Sequence, residues 1–307
     1  AAPLPSQAGG RLTLPIQTGM DEEVRRLIAR LGADAVRNSD GTELPGIVSE
    51  LATKVYSTYF VGRGDNAWAD AHPDEATRIF LMSDRVSATT DGPVSIDLLA
   101  SWFADQVRPD TGCDVTRWWQ AHDRTTGQEL PVSAWSIGAD GRTVTVHEAL
   151  AGHVYTVSFL AVQTWDPTQM YNYLTNGWDE DPTRVKEKPF DVRHEATWSH
   201  VRAHLSAWLA EHPEVDVVRF TTFFYHFTLV YGADATERFV DWFGYSASVS
   251  VPALEAFEEE YGYRLTAEDF VDAGYYNSPF RVPTRAFRDW IDFQQRFVCS
   301  REIGRAS

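Results

Sequence analysis

The sequence predicts an α/β fold, and three observations carry the prediction. Amphipathic helices alternate with short apolar strands toward both ends of the chain, the pattern of parallel strands joined by helices. A stretch at about 77–152 breaks the alternation with short strand-like pieces and hairpin turns, which reads as a strand-rich insertion. Two near copies, "ADAVR" (Ala33–Arg37) and "VDVVR" (Val215–Arg219), each follow an amphipathic helix and a Gly or Pro stop, and each ends in Arg.

Taken in order, residues 1–20 are small and Gly/Pro-rich and are expected to be loosely ordered. A helix follows, with Asp21 as its cap, Glu22 and Glu23 in its first turn and Arg30 in its last. Val24, Leu27, Ile28 and Leu31 make one buried stripe, and Gly32 supplies the stop. The strand Ala33–Val36 then ends in a polar tip: Arg37, Asn38, Ser39 and Asp40. Pro45 is expected to open a second helix with Ile47, Val48, Leu51 and Val55 inward. Within the insertion, Gly127 and Asp140-Gly141 mark hairpin turns. Alternation resumes with the long apolar strand "HVYTVSFLAVQTW". Asp166 and Pro167 start a helix as cap and first residue. It carries Met170, Tyr171, Asn172 and Leu174 and stops near Asn176. Another helix presents Val201, Leu205, Trp208 and Leu209 on one face and ends at Pro213. "VDVVRFTTFFYHF" is a strand. Two short helical pieces and an amphipathic helix around Phe287, Trp290, Ile291 and Phe297 complete the chain.

A net charge of -17 on 307 residues repels phosphate backbones and anionic lipid heads, so neither a nucleic acid nor a membrane is an expected partner. Two cysteines, Cys113 and Cys299, exclude a disulfide framework and fit a reducing compartment. The first residues show no basic start followed by an apolar run, and the expected address is the cytoplasm. Eleven Trp, 12 Tyr and 17 Phe fit either an aromatic core or a sugar-stacking surface, and composition does not choose between them.

No GxGxxG or GxxxxGK[ST] loop and no GxSxG elbow is present. His200 and His204 have zinc-ligand spacing, but no HExxH glutamate or Cys cluster accompanies them, so no metal site is assigned. Glu258–Glu260 reads as a solvated helix face. Asp40, Asp166 and Asp241 lie at strand or loop tips. Glycoside hydrolysis needs two carboxyl groups. Phosphorolysis needs one acid plus cationic donors for phosphate, and Arg matches phosphate oxygens best. In parallel α/β folds function gathers at the carboxyl ends of strands. Arg37 and Arg219, echoed at two such ends, suit phosphorolysis better. The plainer alternative is that each marks a strand leaving the core beside a carboxylate.

"LGADAVRNSDGTEL", "YTVSFLAVQTWDPTQMYNYLTNGW", "DVVRFTTFFYHFTL", "VDWFG" and "EYGYRLTAEDFVDAGYYNSPFRVPTRAFRDWIDF" occur in this order. They closely resemble the N-terminal part of the lacto-N-biose phosphorylases, from about Arg11 to about Val298. The resemblance implies the N-terminal part of an irregular (β/α)8 TIM-type barrel, with 21–307 as an incomplete catalytic domain. It implies reversible, inverting phosphorolysis of β-1,3-galactosyl-N-acetylhexosamines, with inorganic phosphate as co-substrate, no cofactor and no metal. A homodimer is compatible with the full-length enzyme. By the same resemblance Arg37, Asn172 and Arg219 are sugar-site polar residues and Trp242 is a wall of the site. Thr168 and Tyr245 fall where members vary with the acceptor, and Tyr245 replaces a small Cys of some members, which leaves the acceptor open. The family's general acid is an aspartate in a "GDQW"-like motif that would lie beyond Ser307. No catalytic residue is therefore assigned within the chain. The 307 residues alone are expected to be poorly stable and inactive. A galactoside hydrolase and a non-catalytic galactoside-binding fragment are the alternatives.

Overall fold

The computed structural model describes residues 12–38, 44–175, 183–221, 228–241, 247–278 and 284–302. The chain divides into two compact units. The first comprises Ala1–Val61 with Trp198–Phe223, the second Gly62–Thr197 with Phe224–Ser307.

The first unit holds a four-stranded sheet in the order Thr13–Ile16, Ala35–Asn38, Lys54–Phe60, Val217–Thr221. Every adjacent pair is parallel. The alternation read from the sequence thus produces the expected parallel sheet, and the Arg-ending strands of both near copies lie in it, one on each side of Lys54–Phe60. Helix Asp21–Leu31 links the first two strands. Its Val24 joins Ile16, Val36, Val48 and Val55 in a small core, with Ile28, Leu44 and Leu51 packed against it. Gly32 ends the helix at φ 65, where its N–H donates to the Ile28 carbonyl.

Several local expectations are corrected, the first being that residues within the stretch expected to be loosely ordered form the strand Thr13–Ile16, held by its backbone pairing to Ala35–Asn38. Asp21 is the first helical residue, while Met20 stands at the cap with no side-chain bond. Leu31 is exposed, because the chain turns away at Gly32 before a further turn can cover it. Pro45 leads into a short 3-10 turn, Gly46–Glu50, and not into a helix reaching Val55. Val55 lies on a strand whose residues alternate between half-buried and buried, so the period-two pattern of "KVYSTYF" prevails over the helical spacing. The first "AVR" strand also starts two residues later than expected and includes Arg37 and Asn38. Ser39 and Asp40 lie outside the described residues.

The second unit is built on antiparallel pairing. Its central strand, Val154–Gln163, is the long apolar strand expected from the sequence. Its partners are Arg78–Met82, Val86–Ser87, Val107–Pro109 and Gln120–Asp123, all antiparallel. It therefore belongs to the sheet of the strand-rich region and not to the parallel set. Nine of its ten residues are buried, so its pattern is a continuous apolar run, which does not reveal strand direction. The predicted hairpins are present: Gln120–Asp123 with Gln128–Glu129, and Trp135–Ile137 with Thr143–Ala149, which also pairs with Gly92–Asp97. Thr228–Tyr231 and Glu237–Asp241 form a separate two-stranded ribbon. Helices Val251–Tyr261 and Arg285–Glu302 contribute Leu254, Phe257, Phe287 and Trp290 to the same large core as Phe80, Trp118, Trp119 and Phe159. Trp102, Trp118, Trp119, Trp135, Trp165 and Trp290 are all buried, so much of the aromatic content is core. Among the described residues no helix is long and apolar enough to cross a membrane.

Candidate functional site

Two groups of sequence-predicted residues are placed, one in each unit. In the first unit, register decides which side chains share a face. Arg37 pairs with Tyr56, and Tyr56 with Val217. Arg219 pairs with Thr58. Paired residues in a parallel sheet point the same way, and so do residues two apart on one strand. Arg37, Tyr56, Thr58 and Arg219 therefore share one face. Val36, Val55 and Ile16 occupy the other, against helix Asp21–Leu31. Two strand spacings sideways and two residues along the strand put the Arg37 and Arg219 Cα atoms about 12 Å apart. Both guanidinium groups are long enough to converge on one anion between them. Both residues are half-buried.

The strand end beneath Arg37 is fixed by a residue that sequence reasoning treated only as part of a polar tip. Asn38 is 4% exposed. Its Oδ1 accepts the Thr58 N–H at 2.8 Å, and its Nδ2 donates to Ser57 Oγ at 3.4 Å. The carboxamide thus ties the Arg37 strand to its neighbour where Arg37 and Thr58 emerge. Arg37 Nη1 donates to the Asn38 carbonyl at 3.3 Å. The signal available in the sequence was an Asn directly after Arg at the end of an apolar run, which also fits an ordinary turn.

In the second unit, Thr168 and Asn172 sit four apart on helix Pro167–Thr175, hence on one helical face. Thr168 is 5% exposed, and its hydroxyl has no hydrogen-bond partner. The placement of the Asn172 side chain lies outside the described residues. Asp166 caps this helix as expected: its Oδ1 accepts the Thr168 and Gln169 N–H groups at 3.0 and 2.9 Å. It also accepts from Arg63 Nη1 at 2.6 Å, with the two side chains 1% and 4% exposed. Arg63, a residue the sequence did not single out, therefore clamps the start of the helix. Its Nε lies 3.2 Å from Glu187 Oε2. Burial, opposed by Arg63 and reinforced by Asp166, pushes the Glu187 carboxyl above the usual range. A cavity of about 330 Å³ lies beside it, lined by Gly64, Asn66, Gln169, Arg184 and Glu187.

Other candidates resolve differently. Trp242 and Tyr245 lie outside the described residues, as does the Asp241 side chain. His204 Nδ1 is 2.6 Å from the Tyr59 hydroxyl, and among the described residues no group of three or more His, Cys, Asp or Glu could hold a metal ion. The acidic face is less bare than expected, since Glu258 pairs with Arg117 and Glu260 with Arg296.

A parallel sheet with a helix packed on one face and two arginines toward the strand ends on the other is the arrangement of a β/α barrel segment. A sequence model of the lacto-N-biose phosphorylase N-terminal TIM barrel domain matches residues 10–304, and the chain belongs to that family. It is 47% identical to a 1,3-β-galactosyl-N-acetylhexosamine phosphorylase of Bifidobacterium longum subsp. longum, over 94% of this chain and 38% of the relative. It is 45% identical to another of Lachnoclostridium phytofermentans, over 94% of this chain and 40% of the relative. A D-galactosyl-β-1→4-L-rhamnose phosphorylase of the latter organism is 35% identical, over 94% of this chain and 40% of the relative. The chain thus spans about two fifths of the length of these relatives.

Proposed function

We propose that these 307 residues form the donor-sugar and phosphate half of a disaccharide phosphorylase acting on β-1,3-galactosyl-N-acetylhexosamines. The observation that carries this reading is the pair Arg37 and Arg219 on one face of a parallel sheet, in a chain of net charge -17. A strongly acidic protein that takes phosphate into its site must supply local cations, and two guanidiniums offer fork-shaped donors to its oxygens.

Phosphate attacks the anomeric carbon directly and the acceptor sugar leaves, giving α-galactose 1-phosphate with inversion. The arginines hold the attacking phosphate in line and offset its charge against the sugar oxygens. The leaving oxygen needs a proton from a general acid. We assign that acid to sequence outside these 307 residues, and the chain by itself does not turn over. By the resemblance, Asn172 and Trp242, like the two arginines, serve the sugar, and Thr168 and Tyr245 tune the acceptor. No cofactor takes part, and the reaction runs in the cytoplasm.

The test appends the remaining length of the Bifidobacterium longum relative to these 307 residues and supplies lacto-N-biose. The expected result is phosphate-dependent formation of α-galactose 1-phosphate, followed by phosphorus and proton NMR. Release of free galactose without phosphate would establish a hydrolase in its place.

A further inference from the structure

A second polar cavity lies wholly within the second unit and is lined by none of the candidate site residues. It measures about 190 Å³, and its walls include Asp84, Arg85, Trp102, Arg238, Gly274 and Tyr276. That is room for one small molecule, below the roughly 300–1,000 Å³ of pockets for larger ligands.

Two of the chain's arginines face it without a carboxylate partner among the described residues. Arg25, Arg117, Arg124, Arg142 and Arg296 are all paired with carboxylates. Arg85 and Arg238 are exposed, and among the described residues neither makes an ion pair. Arg85 Nη2 donates to the Ala273 carbonyl at 3.2 Å, and Arg238 Nη1 to the Ser101 carbonyl at 2.9 Å. Arg238 Cζ also lies 4.5 Å from the Trp102 ring centroid, so the guanidinium rests over the indole face of the wall. Each keeps further N–H donors for a ligand. Asp84 accepts the Ser101 hydroxyl on Oδ1 at 2.6 Å, which leaves Oδ2 as an acceptor.

The walls are also locked. Asp272, Ala273 and Tyr276 all have positive φ, at 42, 54 and 54, around Gly274 at 96. Such strain in non-glycine residues persists only where surrounding bonds over-determine it, and it collects at ligand sites. Glu268 Oε2 accepts the Ala273 N–H at 3.1 Å, and Glu268 is itself held by Arg124 and by the Ser158 hydroxyl. Tyr276 accepts the Met82 N–H at 3.0 Å, while Trp102 Nε1 donates to the Met82 carbonyl at 2.9 Å. A Cβ at position 274 would meet Met82 Cε at 2.7 Å, so glycine keeps the cavity wall closed on Met82.

We propose that this cavity binds a small hydroxylated anion of the sugar phosphate or sugar acid class. Its anionic group takes the two guanidiniums, and a hydroxyl donates to Asp84. The proposal stands on this cavity alone and is independent of the phosphorylase reading. Titration calorimetry on the 307-residue chain tests it with four probes, none of them the product of the proposed reaction: galactose 6-phosphate, galacturonate, galactose and inorganic phosphate. At least one sugar anion should bind about tenfold or more tightly than galactose or phosphate alone. Which one binds separates phosphate from carboxylate as the recognised group. Arg85→Gln and Arg238→Gln should each weaken that binding by about tenfold, and Arg30→Gln, at an exposed arginine outside the cavity, should leave it unchanged. Near-UV circular dichroism checks that each variant is folded, and Arg85, with its single hydrogen bond, is the safer of the two. Absence of sugar-anion binding, binding that survives both substitutions, or binding lost equally with Arg30→Gln would each overturn the proposal.

Discussion

The parallel sheet of the first unit and the antiparallel sheets of the second rest on cores of very different size. The first packs short aliphatic side chains, Ile16, Val24, Val36, Val48 and Val55, on one face only. Its other face carries Arg37, Tyr56, Thr58 and Arg219. The second buries whole indole and phenyl rings. Phe257 alone has Tyr261, Tyr263, Trp290 and Phe293 around it, with ring centroids 4.5 to 6.0 Å away. A sheet that must present charged groups on one face has only the other for stabilisation. The difference teaches that a sheet presenting charged groups on one face keeps a thin aliphatic core, while the bulk of the buried aromatic packing sits in the second unit.

The comparison is easiest to break at its strongest point. Trp290 is 0% exposed, and Trp290→Ala should cost about 3–5 kcal/mol, read from the denaturant midpoint. A loss below about 1 kcal/mol would mean that the aromatic cluster does not hold the second unit together. Arg63→Ala comes next, at about 3 kcal/mol, because it leaves the buried Asp166 carboxylate uncompensated. Adding Asp166→Asn should recover part of that loss, which separates an unpaired charge from a cavity. Gly32→Ala probes the thin side. Nothing lies within 4 Å of a Cβ there, so the cost of about 1 kcal/mol is purely that of φ 65 for alanine.

The smallest effect is pH-linked. His122 is buried, and burial outweighs nearby Glu268 and holds its pKa below the ordinary 6.5. As pH falls through that value the unfolded chain takes up the proton first, so the second unit loses stability from there downward. His122→Gln should flatten that part of the profile, checked by urea midpoints at about pH 7.5 and about pH 5.5. An unchanged slope would assign the acid sensitivity to other groups, of which buried His194, also depressed by burial, is the first to examine.

The sequence carried the parallel set and its two arginines because helix stripe, Gly or Pro stop and strand repeat in the same order before Arg37 and Arg219. It carried the Asp166 cap because Asp before Pro has a purely local meaning. It did not carry the pairing of Val154–Gln163, since a strand buried along nearly its whole length shows no alternation from which to read its partners. Nor did it carry Arg63 or Asn38, whose roles depend on contacts with Asp166 and Thr58 far away in sequence. Val55 was drawn into a helix because its spacing from Ile47 and Leu51 also fits a helical face.

The central claim is that Arg37 and Arg219 act together on phosphate from the thinly supported sheet. The direct test compares each arginine's Ala variant with the parent in the enzyme completed with the Bifidobacterium longum sequence. Stability should stay within about 0.5 kcal/mol of the parent. Phosphate-dependent turnover of lacto-N-biose should fall by about 100-fold or more for either variant. Turnover that persists at the parent's level in folded Arg37→Ala and Arg219→Ala proteins would contradict the account.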